Sequence, residues 1–120
     1  MDLVPRRRDL RKFLRDLEAA LVAACGDLGV AGAHRRDGLT GVWAGGVKVA
    51  SIGVACRRWV TFHGFALNVA PDLAQFARIR PCGLDPAAIG SLERLLGRAP
   101  SLDDAKRSVA RRMADVLGAP

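Results

Sequence analysis

Two runs of β-branched and aromatic residues in the middle of the chain most constrain what it can fold into. The run from Val47 to Ala55 reads VKVASIGVA, and the run from Trp59 to Val69 reads WVTFHGFALNV; both compositions are typical of strands. The pair Gly45-Gly46 separates the first run from Val42-Trp43, which is the spacing of a tight hairpin turn. The middle of the chain therefore predicts strands joined by short connections, one of them an exposed connection at Arg57-Arg58.

Segments with helical periodicity flank these strands. Between Asp9 and Leu28 the apolar residues recur at steps of three and four, which places them on one face of a helix; they are Leu10, Phe13, Leu14, Leu17, Leu21, Ala24, Cys25 and Leu28. Asp9 is the predicted N-cap and Gly29 the predicted stop. A second long helix is predicted from Ser101 to Leu117, with Ser101 as its N-cap, and a short one from Ser91 to Leu96.

The order of these elements predicts an α+β fold, with a mixed or antiparallel sheet and two main helices against it. Gly53 and Gly64 interrupt the strand runs, which indicates either β-bulges or places where a ligand lies against bare backbone. After the strands, residues Asp72 to Phe76 can form one helical turn. Residues Ile79 to Gly83 form a loop that Pro81 kinks.

Length and composition predict one domain over residues 1–120. The chain has 120 residues, of which 50% are hydrophobic and 26% charged, so it can bury a modest core and is not a disordered tail. No apolar run approaches the ~20 residues of a membrane-spanning helix, and no apolar stretch of signal-peptide length follows the basic N-terminus. We therefore expect a cytoplasmic monomer with no membrane partner.

The net charge of +7 calls for an acidic partner, and 16 of the 19 basic residues are arginine. An arginine excess is common in proteins from GC-rich genomes, so it is weak evidence for nucleic-acid binding. Acidic carrier proteins are the other partner class that this charge allows. A basic run at the start of the first helix is either a solvated face or a docking patch; it comprises Arg6, Arg7, Arg8, Arg11, Lys12 and Arg15.

Of the three cysteines, Cys82 is the candidate nucleophile, because it lies between Pro81 and Gly83 in a predicted loop, away from the apolar stripes. A thiol on a helix face, such as Cys25, is more often inert packing. Cys56, at the end of a strand, fits either role. The odd number and wide spacing fit neither a disulfide framework nor a zinc site, so we expect free thiols.

Lys48 and His63 are the other candidates for chemistry. Lys48 lies in mid-strand, where its side chain points either to solvent or into a pocket; a lysine near a thiol can lower the pKa of that thiol. His63 is either structural or functional, and since no second ligand lies at metal spacing, we expect no metal site. The run from Gly41 to Gly46 is not a phosphate loop, because no helix follows it, so we expect no nucleotide cofactor.

Four blocks of this sequence carry a resemblance to a known family. They read Gly41-Val-Trp, Lys48-Val-Ala-Ser-Ile-Gly-Val, Val60-Thr-Phe-His-Gly-Phe-Ala-Leu-Asn-Val and Pro81-Cys-Gly-Leu, with Ser91-Leu92 after them. In their order and approximate spacing they resemble the C-terminal portion of LipB-type octanoyltransferases, the lipoyl(octanoyl) transferases of protein lipoylation. The resemblance implies part of the catalytic fold of the biotin/lipoate protein ligases.

The resemblance also implies an enzyme, an acyltransferase that needs no metal and no cofactor. In this family the cysteine of Pro-Cys-Gly accepts an octanoyl group from octanoyl-acyl carrier protein as a thioester. The lysine of the second block lowers the pKa of that cysteine and moves protons. Cys82 and Lys48 are the matching positions. The acyl group then passes to a lysine on lipoyl domains of 2-oxoacid dehydrogenases or on the glycine-cleavage H protein.

The family's acyl-substrate binding blocks match residues of both strand runs. The matching residues are Ser51, Ile52, Gly53, His63, Gly64, Phe65 and Ala66. The family's front part, an Arg-Gly-Gly block and a Tyr-His-Gly-Pro-Gly-Gln block, is not found in this chain. We therefore expect a wrong start codon, a fragment or a degenerate paralogue, with a sheet edge and apolar surface exposed.

Two alternatives to octanoyl transfer follow from the sequence. The first is an inactive or partner-dependent half-enzyme that docks carrier protein, because the nucleophile pair is present while the front blocks are not. The second is a basic nucleic-acid-binding module, which the net charge allows. No nucleic-acid-binding motif or interleaved aromatic residues support this second alternative, so we expect no nucleic-acid partner.

Overall fold

A computed structural model describes residues 1–70 and 89–118 of the chain. The helices are α1 (Leu10–Asp27), α2 (Leu92–Leu96) and α3 (Leu102–Leu117), and a short 3₁₀ turn (Val4–Arg6) precedes α1. The strands are β1 (Val42–Ala44), β2 (Val47–Arg57) and β3 (Val60–Leu67). They are antiparallel and hydrogen-bonded in the order β1-β2-β3. This architecture confirms the predicted α+β fold; the predicted turn at Asp72–Phe76 and the loop at Ile79–Gly83 lie outside the described residues.

The long helices begin at the predicted caps. The Asp9 side chain accepts a hydrogen bond from the backbone N–H of Lys12 at 2.9 Å, and Ser101 accepts one from the N–H of Asp104 at 3.0 Å. Each bond satisfies one of the N–H groups that a helix leaves without an internal partner in its first turn. α1 ends two residues before Gly29, which confirms the predicted stop to within a residue or two.

Both hairpin turns use a left-handed backbone at two positions. Gly45 and Gly46 have φ of +57° and +80°, as the expected tight turn requires. The turn between β2 and β3 lies at Arg58 and Trp59, one residue later than the sequence predicts, with φ of +51° and +66°. Such angles cost energy in residues that have a Cβ. The N-terminal segment holds this turn, because the N–H of Leu3 donates to the carbonyl of Trp59 at 2.7 Å.

The prediction of β-bulges at Gly53 and Gly64 was wrong. These glycines face each other in an unbroken antiparallel register of eight residue pairs between β2 and β3. The antiparallel pairing therefore continues through the two glycines without an extra residue in either strand. The register shift in the described sheet lies instead between β1 and β2, next to Lys48.

The core lies between the sheet and the helices. Its main cluster combines residues of α1, of the loop that follows it, of β1 and β2, and of α2; they are Leu21, Cys25, Val30, Val42, Ala44, Val49, Ala50 and Leu92. A second cluster, of Leu3, Phe13 and Leu17, packs on the far end of β2. Burying one large apolar side chain stabilises the fold by roughly 1.5–3 kcal/mol, so the predicted stripe of α1 anchors the helix to the sheet. No helix in the described ranges is long and apolar enough to cross a membrane.

Asp27 ties the C-terminal end of α1 to α3. Its carboxylate accepts hydrogen bonds from Arg112 at 2.6 and 2.9 Å, from Ser108 at 2.8 Å and from Arg111 at 2.9 Å. The bonds from Arg112, then those from Ser108 and Arg111, hold the pKa of Asp27 well below its usual range. The two helices are thereby joined across more than eighty residues of sequence, beyond the reach of local propensity.

We expect Asp27→Asn to lower the Tm at neutral pH, because the amide cannot pair with both guanidinium groups. The folded pKa of Asp27 lies below its unfolded value of about 3.9, so the stabilisation is complete above the unfolded pKa and is lost as pH falls through the folded pKa. Thermal unfolding of wild type and variant should therefore show a gap in Tm that is constant from pH 7 to about pH 5 and narrows below about pH 4. Asp103→Asn, an exposed position on α3, is the matched control; an unchanged gap at pH 3 would contradict the role of charge.

Candidate active site

Lys48 lies in the interior of the fold, although it is a charged residue in mid-strand. It is 7% exposed, and Val49 and Ala50 after it are also buried, whereas strict alternation would expose one of the three. The cause is the β-bulge between β1 and β2, in which Trp43 faces Lys48. The preceding residue Val42 faces Ala50, which leaves Val49 as the extra residue. Of the two sequence alternatives for Lys48, the structure selects burial.

The Lys48 side chain passes over Gly41 and ends near the ring of Trp43. A Cβ at Gly41 would lie 2.6 Å from Lys48 Cε and 2.8 Å from the carbonyl oxygen of Ala50, so a residue without a side chain leaves the room that Lys48 needs. Lys48 Nζ lies 5.5 Å from the Trp43 ring centroid, which is cation–π range. Within the described part of the chain Nζ forms no ion pair, so the ring face is its stabilising contact there.

The described residues on either side of residues 71–88 bond to β2 beside Lys48. Ile89 forms a parallel bridge with Lys48, and the N–H of Gly90 donates to the Lys48 carbonyl at 2.9 Å. On the departing side, the N–H of Asn68 donates to the carbonyl of Val49 at 2.8 Å. The Asn68 side chain also donates to the Gly90 carbonyl at 3.1 Å, which joins the two ends. Cys82 belongs to this segment and lies outside the described residues.

The other two thiols have different surroundings. Cys25 is fully buried in the main core, and burial raises the pKa of its thiol to about 11. This agrees with the packing role predicted for it. Cys56 is partly buried and packs against the second core cluster. Among the residues that the structure describes, no three His, Cys, Asp or Glu side chains gather closely enough to hold a metal ion.

The residues matching the acyl-substrate blocks are brought together as cross-strand pairs. Ser51 faces Ala66, Ile52 faces Phe65, and Gly53 faces Gly64, while His63 occupies the next position of β3 opposite Val54. Because directly opposed residues share one face of a sheet, these pairs alternate between its two faces. The sequence alone placed the two blocks on separate runs; the register places them side by side.

A strip of bare backbone lies on the outer face of the sheet. Ser51, Gly53 and Ala66 are exposed, and a Cβ added at Gly53 or Gly64 would meet nothing within 4 Å. The intervening Ile52 packs instead into the core on the helix side. Ser51 is three residues from Lys48 along β2, which is roughly 10 Å at strand spacing. The strip, defined as the four residues Ser51, Gly53, Gly64 and Ala66, is therefore an open surface close to Lys48 along β2.

Three residues around Lys48 were not identified as site residues from the sequence. Gly41 provides space, Trp43 provides the ring face, and Asn68 joins the two ends of segment 71–88. Gly41 and Trp43 stand together in the first of the four blocks, so the block itself was the available signal. Asn68 stands in the third block, but its role depends on a contact with Gly90, which lies 22 residues away in sequence.

Comparison with known proteins agrees with the four sequence blocks. Residues 2–114 match the family described as lipoyl protein ligase A/B catalytic domain. The chain is 53% identical over 117 residues to the octanoyltransferase of Geobacter sp. (strain M21) and 52% identical over 117 residues to that of Citrifermentans bemidjiense. Each alignment covers 98% of this chain and 57% of the relative. The chain thus spans somewhat more than half the length of these curated relatives.

A solved structure shows the same fold. The chain matches a crystal structure of lipoate-protein ligase A bound with ATP at a TM-score of 0.74 and 17% sequence identity. The match covers 91% of this chain and 47% of the other. It confirms the expectation that the chain resembles part of the ligase-type catalytic fold.

We expect Gly41→Ala to lower the free energy of unfolding by about 1–3 kcal/mol, because the new methyl overlaps the Lys48 side chain and the Ala50 carbonyl. Gly38→Ala is the matched control: Gly38 also has a positive φ, of +76°, but a Cβ there meets nothing within 4 Å. Urea unfolding of both variants compares the two losses, and the loss at Gly41 is expected to be the larger, because its φ of +147° adds backbone strain to the overlap. Equal losses in the two variants would contradict close packing of Lys48 on Gly41.

Alkylation at neutral pH should distinguish the three thiols. We expect iodoacetamide to label Cys82 first and Cys25 last, because burial both shields Cys25 and disfavours its thiolate. Peptide mapping by mass spectrometry over time gives the order, and labelling in denaturant, where all three thiols react alike, is the control. Labelling of Cys56 ahead of Cys82 would contradict the choice of nucleophile.

Proposed function

Because the chain belongs to the lipoyl protein ligase A/B catalytic-domain family, we propose that it is an acyltransferase that moves an octanoyl group from octanoyl-acyl carrier protein to a lysine of lipoyl domains. The observation that carries the proposal is the position of Lys48, which is buried and pairs with Ile89, the first described residue after the segment that contains Cys82. The octanoyltransferase name of relatives about half identical to this chain supports the same activity.

The proposed reaction consists of two acyl transfers at one thiol. The Cys82 thiolate attacks the thioester carbonyl of the carrier-bound octanoyl group, and the carrier thiol leaves with a proton. An amine of the lipoyl domain then attacks the Cys82 thioester and forms an amide, while the amine proton is released and the Cys82 thiolate is restored. Each step exchanges one acyl bond for another, so neither a metal nor a cofactor enters the balance.

Lys48 is proposed to stabilise the thiolate and to carry the proton in both steps. An ammonium held out of bulk water acts more strongly on a neighbouring charge than a solvated one, because the local dielectric is lower. The Trp43 ring and the gap at Gly41 hold the ammonium in position without neutralising it. A carboxylate at that place would compete with the thiolate for the charge, and the described residues supply none there.

The strip is proposed to receive the acyl chain. An extended hydrocarbon can lie against backbone where side chains are missing, and Gly53 and Gly64 provide such a place at the centre of the strip. Phe65 and Ile52 occupy the opposite face, toward the helices, and would support the strip from below. The acceptors are lipoyl domains of 2-oxoacid dehydrogenases and the glycine-cleavage H protein, and the compartment is the cytoplasm.

A partner-dependent form of the same function is the second candidate. The chain spans 57% of the relatives' length, and two apolar side chains on the same face of β3 as the strip, Val60 at 49% and Phe62 at 48%, are exposed. Exposed apolar surface of this kind favours a covering polypeptide. In this version the chain supplies Lys48 and Cys82, and a second polypeptide completes the acyl site.

Incubation with octanoyl-acyl carrier protein tests the chemistry. We expect the chain to gain one octanoyl mass as a hydroxylamine-sensitive adduct on Cys82, and Cys82→Ala to abolish it. Lys48→Ala should slow adduct formation and transfer by about 10²–10⁴-fold. Lys48→Arg should retain part of the adduct but lose transfer to the lipoyl domain, because a guanidinium keeps its proton near neutral pH. Intact-mass spectrometry over time follows both steps.

Lys106→Arg is the matched control, since Lys106 is an exposed lysine on α3, and both steps should keep the wild-type rate in it. Wild-type transfer by Lys48→Arg would show that Lys48 acts only as a charge. If the chain alone forms no adduct, the part of a relative's sequence that lies outside its alignment with this chain is added as a second polypeptide. Acylation of Cys82 only in that mixture would select the partner-dependent form, and no acylation in either case would overturn the proposed activity.

A further inference from the structure

A cationic groove lies between α1 and the loop that leads into β1. Its α1 wall is formed by Arg11, Leu14, Arg15 and Glu18, and its other wall by the loop of residues 35–40. Arg35 and Arg36 extend from that loop and are exposed, as are Arg11 and Arg15. Arg35 pairs with Asp37 of the same loop at 3.2 Å, so Arg11, Arg15 and Arg36 are the cations without a carboxylate partner among the described residues. The groove has a volume of about 630 Å³ and is lined mostly by exposed side chains, so it is an open surface rather than a closed pocket.

The basic run of α1 has one compensated side and one uncompensated side. Arg6 and Lys12 both pair with the Asp16 carboxylate, at 2.7 and 2.8 Å. Arg11 and Arg15, one turn apart on the groove side, form no ion pair with any residue that the structure describes. Like charges four residues apart on a helix repel each other. The sequence predicts this basic run to be either a solvated face or a docking patch. Its groove side, with Arg11 and Arg15, fits a docking patch, whereas the side paired with Asp16 fits a solvated face.

Glu18 is a buried residue in the α1 wall of the groove. The residue is 4% exposed, and its Oε2 has no hydrogen-bond partner among the described residues. Burial raises the pKa of this carboxyl, while the charges of Arg35 and Arg15 oppose the rise. Because Oε2 is itself buried beneath the groove wall, it stays out of reach of a docked molecule, and the exposed guanidinium groups are what a partner meets.

The groove is continuous with the candidate active site. The Arg36 guanidinium lies 5.1 Å from the centroid of the Trp43 ring, and Lys48 Nζ lies 5.5 Å from the same centroid. Thr40, in the groove wall, directly precedes Gly41, over which the Lys48 side chain passes. A partner that fills the groove therefore lies against the wall of the Lys48 site.

We propose that the cationic groove docks the acidic carrier protein that delivers the acyl group, an inference that rests on the proposed function. In the proposed reaction the unacylated chain meets the donor before the acceptor, so its exposed guanidinium groups face the donor first. An acidic protein surface matches these guanidinium groups in charge. Nucleic acid fits less well, because no nucleic-acid-binding motif accompanies these arginines in the sequence.

Paired charge reversals test the groove. The groove variant combines Arg11→Glu with Arg15→Glu and reverses the charge on the groove side of α1. The matched control combines Arg94→Glu with Arg98→Glu. These two arginines are also exposed and four residues apart, but they lie away from the groove. In a Cys82→Ala background, which blocks turnover, we expect the groove variant to bind octanoyl-acyl carrier protein about ten-fold or more weakly than the parent. The control should stay within about two-fold, and parental binding should weaken as salt rises.

A small donor separates this proposal from the proposed function. With Cys82 present, octanoyl-N-acetylcysteamine needs no docking, so the groove variant should be acylated by it as fast as wild type and by the carrier more slowly. Acylation by neither donor in wild type would overturn the proposed function itself. Equal carrier rates in groove variant and wild type would overturn the docking proposal alone.

Two further arms identify the occupant of the groove. If the groove variant loses binding to a lipoyl domain but keeps binding to the carrier, the assignment to the carrier is overturned. It is also overturned if the parent binds random-sequence DNA tightly and the groove variant does not. Circular dichroism and thermal unfolding show whether the groove variant is folded. If it is not, Arg11→Gln and Arg15→Gln replace it: each should weaken carrier binding and flatten its salt dependence, and unchanged binding in both would refute the proposal.

Discussion

The β-bulge at Val49 is the constraint on which the candidate site depends. A lysine in a regular strand of this sheet would alternate with its neighbours and could reach solvent, but the extra residue keeps Lys48, Val49 and Ala50 all buried. The buried ammonium then needs space and a compensating surface, which Gly41 and Trp43 provide. The β-bulge between β1 and β2 thus accounts for the buried position of Lys48.

The rest of the architecture supports this arrangement from both ends. Ile89 and Gly90 pair with Lys48. Asn68 donates hydrogen bonds to the carbonyls of both Val49 and Gly90. These contacts continue the sheet along β2 beside Lys48. On the other side, α1 packs its apolar stripe into the core while its cationic side borders the loop that leads to Gly41. One helix therefore contributes to stability through one face and to the surface next to the site through another.

The sequence predicted the elements well because their signals are local. The caps at Asp9 and Ser101 and the turn at Gly45-Gly46 depend on side chains within three or four residues, and all three are confirmed. The bulges expected at Gly53 and Gly64 were wrong, because a missing side chain weakens a strand without requiring an extra residue in it. The turn at Arg58 and Trp59 was displaced by one residue, since a contact with the distant Leu3 holds it.

By itself the sequence determined the family, the order and approximate bounds of the helices and strands, and the candidate pair of Cys82 and Lys48. The tertiary structure decided that Lys48 is buried, because the side on which a strand residue lies depends on its register with a neighbouring strand. It also decided which side of the basic run in α1 is neutralised, since Arg6 reaches Asp16 across ten residues through the fold of the N-terminal turn. Both outcomes depend on contacts between segments, which local propensity does not encode.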